Sequence, residues 1–188
     1  MSPISKVIIA CWVVFWLYWL ISAFGSKKNT VSNIRQFAGI RLGIFVLAII
    51  LFRFLNVQNY PFQNSVATSN ELVLAGGFII FLLGIFLAIW ARLYLGKNWG
   101  MPMTQKQDPE LVTSGPYQYI RHPIYSGILL AALGSALASS IFWLTIFAIM
   151  GIYFIYSAVA EERLMTKQFP KVYPMYKSKT KMLIPFVF

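Results

Sequence analysis

The single histidine of the chain, His122, stands in the run Gly115-Pro116-Tyr117-Gln118-Tyr119-Ile120-Arg121-His122-Pro123-Ile124-Tyr125-Ser126-Gly127. An imidazole beside a guanidinium, with phenols close by, can bind anions and move protons. The next acidic residues along the chain are Glu161 and Glu162, at the far end of an uncharged stretch. If that stretch doubles back, both ends meet at one surface. Such a set would grip a small molecule with an anion at one end and a cation or hydroxyls at the other.

The elements that must position these groups are helices. Pro123 suits the first helical position, where no N–H is needed. Arg121 and His122 then sit at a helix N-terminus, whose free N–H groups and dipole favour anions. His122 shares a face of that helix with Tyr125 and Ser126, and Gly127 lets a ligand or another helix come close. Glu161 and Glu162 are expected to end the following helix, where carboxylates oppose the dipole. They call for a cation: Arg121, Arg163, or an amine or sulfonium on a ligand. Taken singly, each residue has an ordinary role. Arg121 would anchor headgroups, His122 would be a hydrogen-bonded interfacial residue, and the glutamates a solvated helix end. Tyr117, Tyr119 and Tyr125 would form an aromatic belt. Their convergence on one side of one hairpin is what points to a site.

The chain has 188 residues, of which 59% are hydrophobic and only 11% charged. Soluble domains carry roughly 25% charged residues, so the composition predicts an all-α integral membrane protein, read as a single membrane domain over 1–188. Residues 1–91 would supply three helices, and 92–188 a loop, a helical hairpin and a tail that form the site. A spanning helix needs about 20 mostly apolar residues. Val7 to Phe24 and Leu72 to Ala91 qualify, and the first is read as a retained span rather than a cleaved leader. Pro123 to Ala160 carries no charge. As one helix it would run about 57 Å, against a hydrocarbon core of about 30 Å, so it must turn. Gly134-Ser135 and Ser139-Ser140 are the breakers, and a turn at Ala138 to Ser140 gives two antiparallel helices. Phe37 to Val57 completes a set of five transmembrane helices if Arg41 and Arg53 snorkel to opposite headgroup layers. Five spans put fourteen of the sixteen lysines and arginines on one side, leaving Lys6 and Arg53 on the other. The positive-inside rule then places the N-terminus outside, and the C-terminus and the site in the cytoplasm.

The net charge of +11 flanks apolar spans, which indicates anionic lipids as partners and no nucleic acid. One cysteine, Cys11, and one histidine exclude an intrachain disulfide and a conventional zinc site, so no metal is expected. There is no Gly-x-Gly-x-x-Gly motif, no phosphate-binding Gly-Lys-Ser/Thr loop and no arguable Ser/His/Asp triad.

Gly115-Pro116-Tyr117, then Arg121-His122-Pro123-x-Tyr125-x-Gly127, then Glu161-Glu162 one hairpin later, resemble the isoprenylcysteine carboxyl methyltransferase and phospholipid methyltransferase superfamily. Leu95-Gly96-Lys97-Asn98-Trp99, Leu111-Val112-Thr113-Ser114, and the ending Glu161-Glu162-x-Leu164 with Phe169, Tyr173 and Tyr176 extend the likeness over about residues 92 to 185. The resemblance implies a membrane methyltransferase that uses S-adenosylmethionine, bound under a lid made by the long loop and the tail. It implies that Tyr117, Arg121, His122, Pro123, Tyr125, Gly127, Glu161 and Glu162 bind the cofactor, the glutamates meeting its ammonium or ribose hydroxyls. Arg121 and Glu110 would act in catalysis. One position departs from the carboxyl-methylating relatives: Pro109, followed by Glu110, stands where they carry a histidine.

The expected acceptor is lipophilic and arrives from the bilayer. A prenylcysteine-type carboxylate is already ionised and needs no base. An amine such as phosphatidylethanolamine must lose a proton, for which Glu110 or a nearby carboxylate is a base; a thiol acceptor is a further alternative. Two other classes stay open on sequence alone: a sterol-type reductase using NADPH, and a non-catalytic membrane subunit. His122→Ala and Glu162→Gln are expected to weaken cofactor binding with little loss of folding, and Lys177→Ala to do little beyond loosening lipid contact. The oligomeric state is not legible.

Overall fold

The structure, a computed structural model, describes residues 3–23, 70–99, 110–140 and 142–185. The described residues form helices and no strand beyond an isolated parallel bridge between Ile120 and Lys181. In chain order the helices are α1 (Pro3–Ala23), α2 (Glu71–Leu95), α3 (Pro123–Ala138), α4 (Phe142–Gln168) and a short tail helix, α5 (Tyr173–Lys179). The expected second span, Phe37 to Val57, lies outside the described residues, as does Pro109. Three described helices are long and apolar enough to cross a bilayer, Pro3–Ser22, Glu71–Asn98 and Trp143–Gln168, while Pro123–Ala138 is shorter.

Each helix is bounded by local chemistry. The Asn70 side chain accepts from the Leu72 N–H at 2.9 Å and caps α2, with Glu71 complementing the dipole in the first turn. The helix stops at Gly96, whose positive φ of 51° breaks the ladder. Pro123 opens α3 as expected. The expected turn falls between α3 and α4, where Ser139 and Ser140 N–H groups both donate to the Ser135 carbonyl. Gly134-Ser135, the other candidate breaker, stays inside α3 because it is needed there for packing.

That packing sets the whole bundle. α2 and α3 run antiparallel with their backbones almost touching. A Cβ at Gly84 would lie 2.3 Å from the Ala131 nitrogen, and one at Gly134 2.3 Å from the Phe81 nitrogen. Small residues at this seam let dispersion contacts replace the hydrophobic force that lipid cannot supply. α1 joins through Trp12, which donates to Ser135 Oγ at 3.1 Å and stacks on Trp143. Arg92, only 4% exposed, ties the C-terminal ends of α1 and α2 together. It donates to the Ser22 and Gly96 carbonyls, each at 2.7 Å, and its guanidinium lies over the Trp99 ring. Both carbonyls lie at helix ends, where acceptors lack intrahelical i+4 partners; Gly96 also accepts from the Trp99 N–H at 3.3 Å. α1 and α2 are therefore parallel neighbours.

One expectation needs correction. Glu161 and Glu162 do not end their helix: α4 continues to Gln168. Arg163 and Lys167 extend it, Lys167 lying in its last turn, where cations complement the dipole.

Candidate active site

The tail closes onto the start of α3. The Arg121 and His122 N–H groups donate to the Lys181 and Met182 carbonyls at 2.8 and 3.1 Å, and the Ser126 hydroxyl donates to the Leu183 carbonyl at 2.6 Å. α5 has two faces at helical spacing. Tyr173, Tyr176, Lys177 and Thr180 turn inward to the site, and Val172, Met175 and Lys179 turn outward.

The charged groups form one connected cluster. Arg121 Nε donates to Glu162 Oε1 at 2.6 Å, and its Nη1 donates to the Thr180 carbonyl. Lys177 Nζ meets the second oxygen of Glu162, also at 2.6 Å. His122 stands between both acids, Nδ1 3.5 Å from Glu161 and Nε2 3.7 Å from Glu162. The Tyr125 hydroxyl donates to Glu161 at 2.6 Å. Rings of His122, Tyr125 and Phe154 stack in near-parallel planes, at centroid spacings of 5.3 and 4.4 Å. The Tyr176 hydroxyl donates to the Tyr117 carbonyl at 2.6 Å.

Burial and charge tune these groups. Burial alone would pull the His122 pKa down, but hydrogen bonding and attraction from Glu161 and Glu162 outweigh it and raise it above the ordinary value. Burial pushes the Tyr117 phenol up, helped by Tyr176 and Glu161, and it pushes Tyr176 up to about 12. The phenols therefore stay protonated donors near neutral pH. His122 Nε2 is buried and faces Glu162 at 3.7 Å, too far for a close hydrogen bond.

Beside the cluster lies a cavity of about 400 Å³. Arg121, His122, Tyr125, Glu161 and Tyr117 line it, and Glu110 lines it too, accepting from Asn98 Nδ2 at 3.2 Å. Apolar and aromatic wall comes from α1 and α4, notably Trp16, Trp19, Met150 and Phe154. The size falls within the range of small-molecule pockets. The structure thus brings together six of the residues singled out by sequence. Glu162 does not line the cavity; it sits behind, neutralising Arg121 and Lys177. Pro123 is fully buried at the start of α3. Gly127 serves the α2 contact, since a Cβ there would lie 2.6 Å from the Ala88 nitrogen.

Sequence reasoning missed Lys177 and the cavity roles of Tyr173, Tyr176, Phe154 and Met165. Their spacing carried the signal. Phe154, Glu161 and Met165 share a helix face at intervals of seven and four, and so do Tyr173, Tyr176 and Lys177. Lys177, expected only to contact lipid, also meets Glu162 at 2.6 Å.

The described helices thus form a membrane-type bundle with a mixed aromatic and ionic cavity at one end of a hairpin. The chain belongs to the phospholipid methyltransferase family, which it matches over residues 72–172. It is also similar to protein-S-isoprenylcysteine O-methyltransferase of Schizosaccharomyces pombe, at 26% identity over 175 residues, covering 90% of this chain and 67% of that protein. The protein is therefore a methyltransferase and an integral membrane protein. The family match favours the methyltransferase reading over the reductase and non-catalytic alternatives.

Proposed function

We propose that the protein transfers a methyl group from S-adenosylmethionine to a lipophilic acceptor. The observation that carries this reading is the meeting of Arg121, His122, Tyr125 and Glu161 on the wall of one nucleoside-sized cavity, in a methyltransferase chain. The donor set fits the cofactor. Glu161 offers a carboxylate to an ammonium or to hydroxyls. The raised His122 and the N-terminal end of α3 offer positive charge to a carboxylate. The Phe154 ring on the cavity wall offers flat apolar surface to a base. Glu162 acts through Arg121 and Lys177, holding the guanidinium and the tail in place.

When bound, S-adenosylmethionine supplies a methyl group on sulfonium sulfur, open to in-line displacement. The chain's own part is positioning and exclusion of water. Tyr173 and Tyr176 on the tail and Trp16 and Trp19 on α1 wall the cavity off, and the acceptor reaches it from the bilayer. A prenylcysteine-type carboxylate is the first reading of the acceptor, following the S. pombe relative. An amine lipid is the second, favoured by Glu110 on the cavity wall as a base that needs no help from the cofactor cluster.

Calorimetry of the purified protein should show S-adenosylhomocysteine binding that is lost by at least roughly tenfold in His122→Ala, one lost charge-assisted bond. Binding of reduced nicotinamide instead would sink the reading. Methyl transfer to a prenylcysteine analogue, phosphatidylethanolamine and a lipophilic thiol, compared side by side, names the acceptor. Loss of amine methylation alone in Glu110→Gln would mark that residue as the base.

A further inference from the structure

The tail helix uses only half of its surface on the site. Its inward face supplies Tyr173 and Tyr176 to the cavity wall and Lys177 to Glu162. Its outward face carries Val172 and Met175, 56% and 63% exposed, on the same stripe as Lys179. Lys171 and Lys181, both exposed, flank it, and Ile184 follows, also exposed. None of these three lysines is paired with a carboxylate among the described residues. Exposed apolar groups interleaved with free cations are the pattern of a segment lying in a headgroup layer.

Its depth agrees. Lys181 and Met182 pair with Arg121 and His122, the residues just before α3, and Leu183 reaches Ser126 one turn into it. α3 has 16 residues and is about 24 Å long, shorter than a hydrocarbon core of about 30 Å. Length alone does not fix which end reaches the boundary; the charges of Arg121, Lys177 and Lys181 gathered at its N-terminal end do, and they place that end and the tail strapped to it at the headgroup level. Exposed Tyr119, whose carbonyl accepts from the Lys181 N–H, sits at the same level.

We propose that the outward face of this tail (Val172, Met175 and Lys179, with Lys171, Lys181 and Ile184) seats on an anionic lipid surface, and that this seating holds the inward face over the cavity. The lysines take the lipid phosphates and the apolar side chains enter the acyl boundary. Membrane charge then governs how firmly the cavity is roofed. The seating stands independently of the proposed cofactor; the coupling to binding rests on it.

The test uses the full chain in nanodiscs of phosphatidylcholine, with or without about 30% phosphatidylglycerol. Amide hydrogen exchange over 171–184, measured without cofactor, should slow by about tenfold in the anionic discs and lose that difference in high salt. The triple variant Lys171→Gln, Lys179→Gln, Lys181→Gln should show the same slower exchange in neither disc, with α1 to α4 protected as before. Affinity for S-adenosylhomocysteine should rise in parallel in the parent protein only. Equal exchange in both discs, or a response retained by the triple variant, overturns the seating. Slower exchange with unchanged affinity overturns the coupling alone. No S-adenosylhomocysteine binding in either disc overturns the cofactor reading and leaves the exchange result to decide the seating.

Discussion

At the scale of single residues, Glu162 has the most to lose. Its carboxylate is 4% exposed and shared by Arg121 and Lys177. Removing one member of a buried pair strands the other charge, so Glu162→Gln should destabilise by about 3 kcal/mol, read as a lowered midpoint in detergent unfolding. Lys177 is half exposed, and Lys177→Met should cost about 1 kcal/mol or less. Equal losses in the two variants would refute this division of labour. The sequence had suggested that Glu162→Gln spares folding. The buried contacts with Arg121 and Lys177 argue otherwise, and nothing in the run of residues says that Lys177 folds back across the hairpin. The histidine makes a second prediction. Its pKa is raised in the fold, so the protonated form favours the folded state. Its contribution is complete below the unfolded value of about 6.5 and is lost as pH rises through the folded value. Between mildly acidic and alkaline pH the parent should therefore lose stability that His122→Gln never had. Parallel melting curves for the two proteins over that window would show instead that the imidazole stays neutral. The grouping of Arg121, His122, Tyr125 and Glu161 was legible because two of its ends flank one uncharged stretch. Pro123 and Gly127 do not line the cavity: Pro123 opens α3 and Gly127 admits α2, the helix-packing roles that their residue types also suggested.

At the scale of elements, the antiparallel contact between α2 and α3 decides whether the site exists. Gly84 meets the Ala131 backbone, and backbone cannot yield as a side chain can. Gly84→Val should force the helices apart and cost about 3 kcal/mol, with loss of folded protein in size-exclusion profiles. Gly76, on the same helix, has nothing within 4 Å of its would-be Cβ. Gly76→Ala should therefore stay within about 1 kcal/mol of the parent. If both substitutions behaved alike, the close approach at Gly84 would not be what holds the pair. The hairpin itself was readable from length against bilayer thickness, and its turn fell where Ser139-Ser140 predicted. Which of two breakers acts was not readable. Gly134 breaks a helix in isolation but serves one when a neighbour fills the space beside it. The limits of α4 were misjudged for a similar reason: Glu161, Glu162 and Arg163 end the apolar run, but the backbone stays helical to Gln168.

At the scale of the molecule, the parallel pairing of α1 and α2 fixes which groups share an end. Arg92 joins Ser22 to Gly96, and Trp19 meets Trp99 edge-on, so the C-terminal ends of both helices lie together. The antiparallel α3 brings its N-terminus, and with it Arg121 and His122, to that same end, and α4 returns there with Glu161 and Glu162. Arg92, Lys97, Arg121, Arg163, Lys167, Lys171, Lys177, Lys179 and Lys181 all fall at or beyond this end. At the opposite end the described chain carries Lys6 and Glu71. Loops near span ends orient by their lysines and arginines, with the richer side retained in the cytoplasm. The expected topology therefore has the cavity opening to the cytoplasm and the starts of α1 and α2 outside. Single cysteines placed at Lys6, Glu71 and Lys167 in a Cys11→Ser background test it. In intact cells a membrane-impermeant maleimide should label the first two and spare Lys167→Cys until the cells are opened. The reverse pattern would put the site on the wrong side for a cytoplasmic cofactor. Labelling of Lys6→Cys and Glu71→Cys from different sides would break the parallel arrangement of α1 and α2 itself, and with it the α1 wall that Trp16 and Trp19 give the cavity.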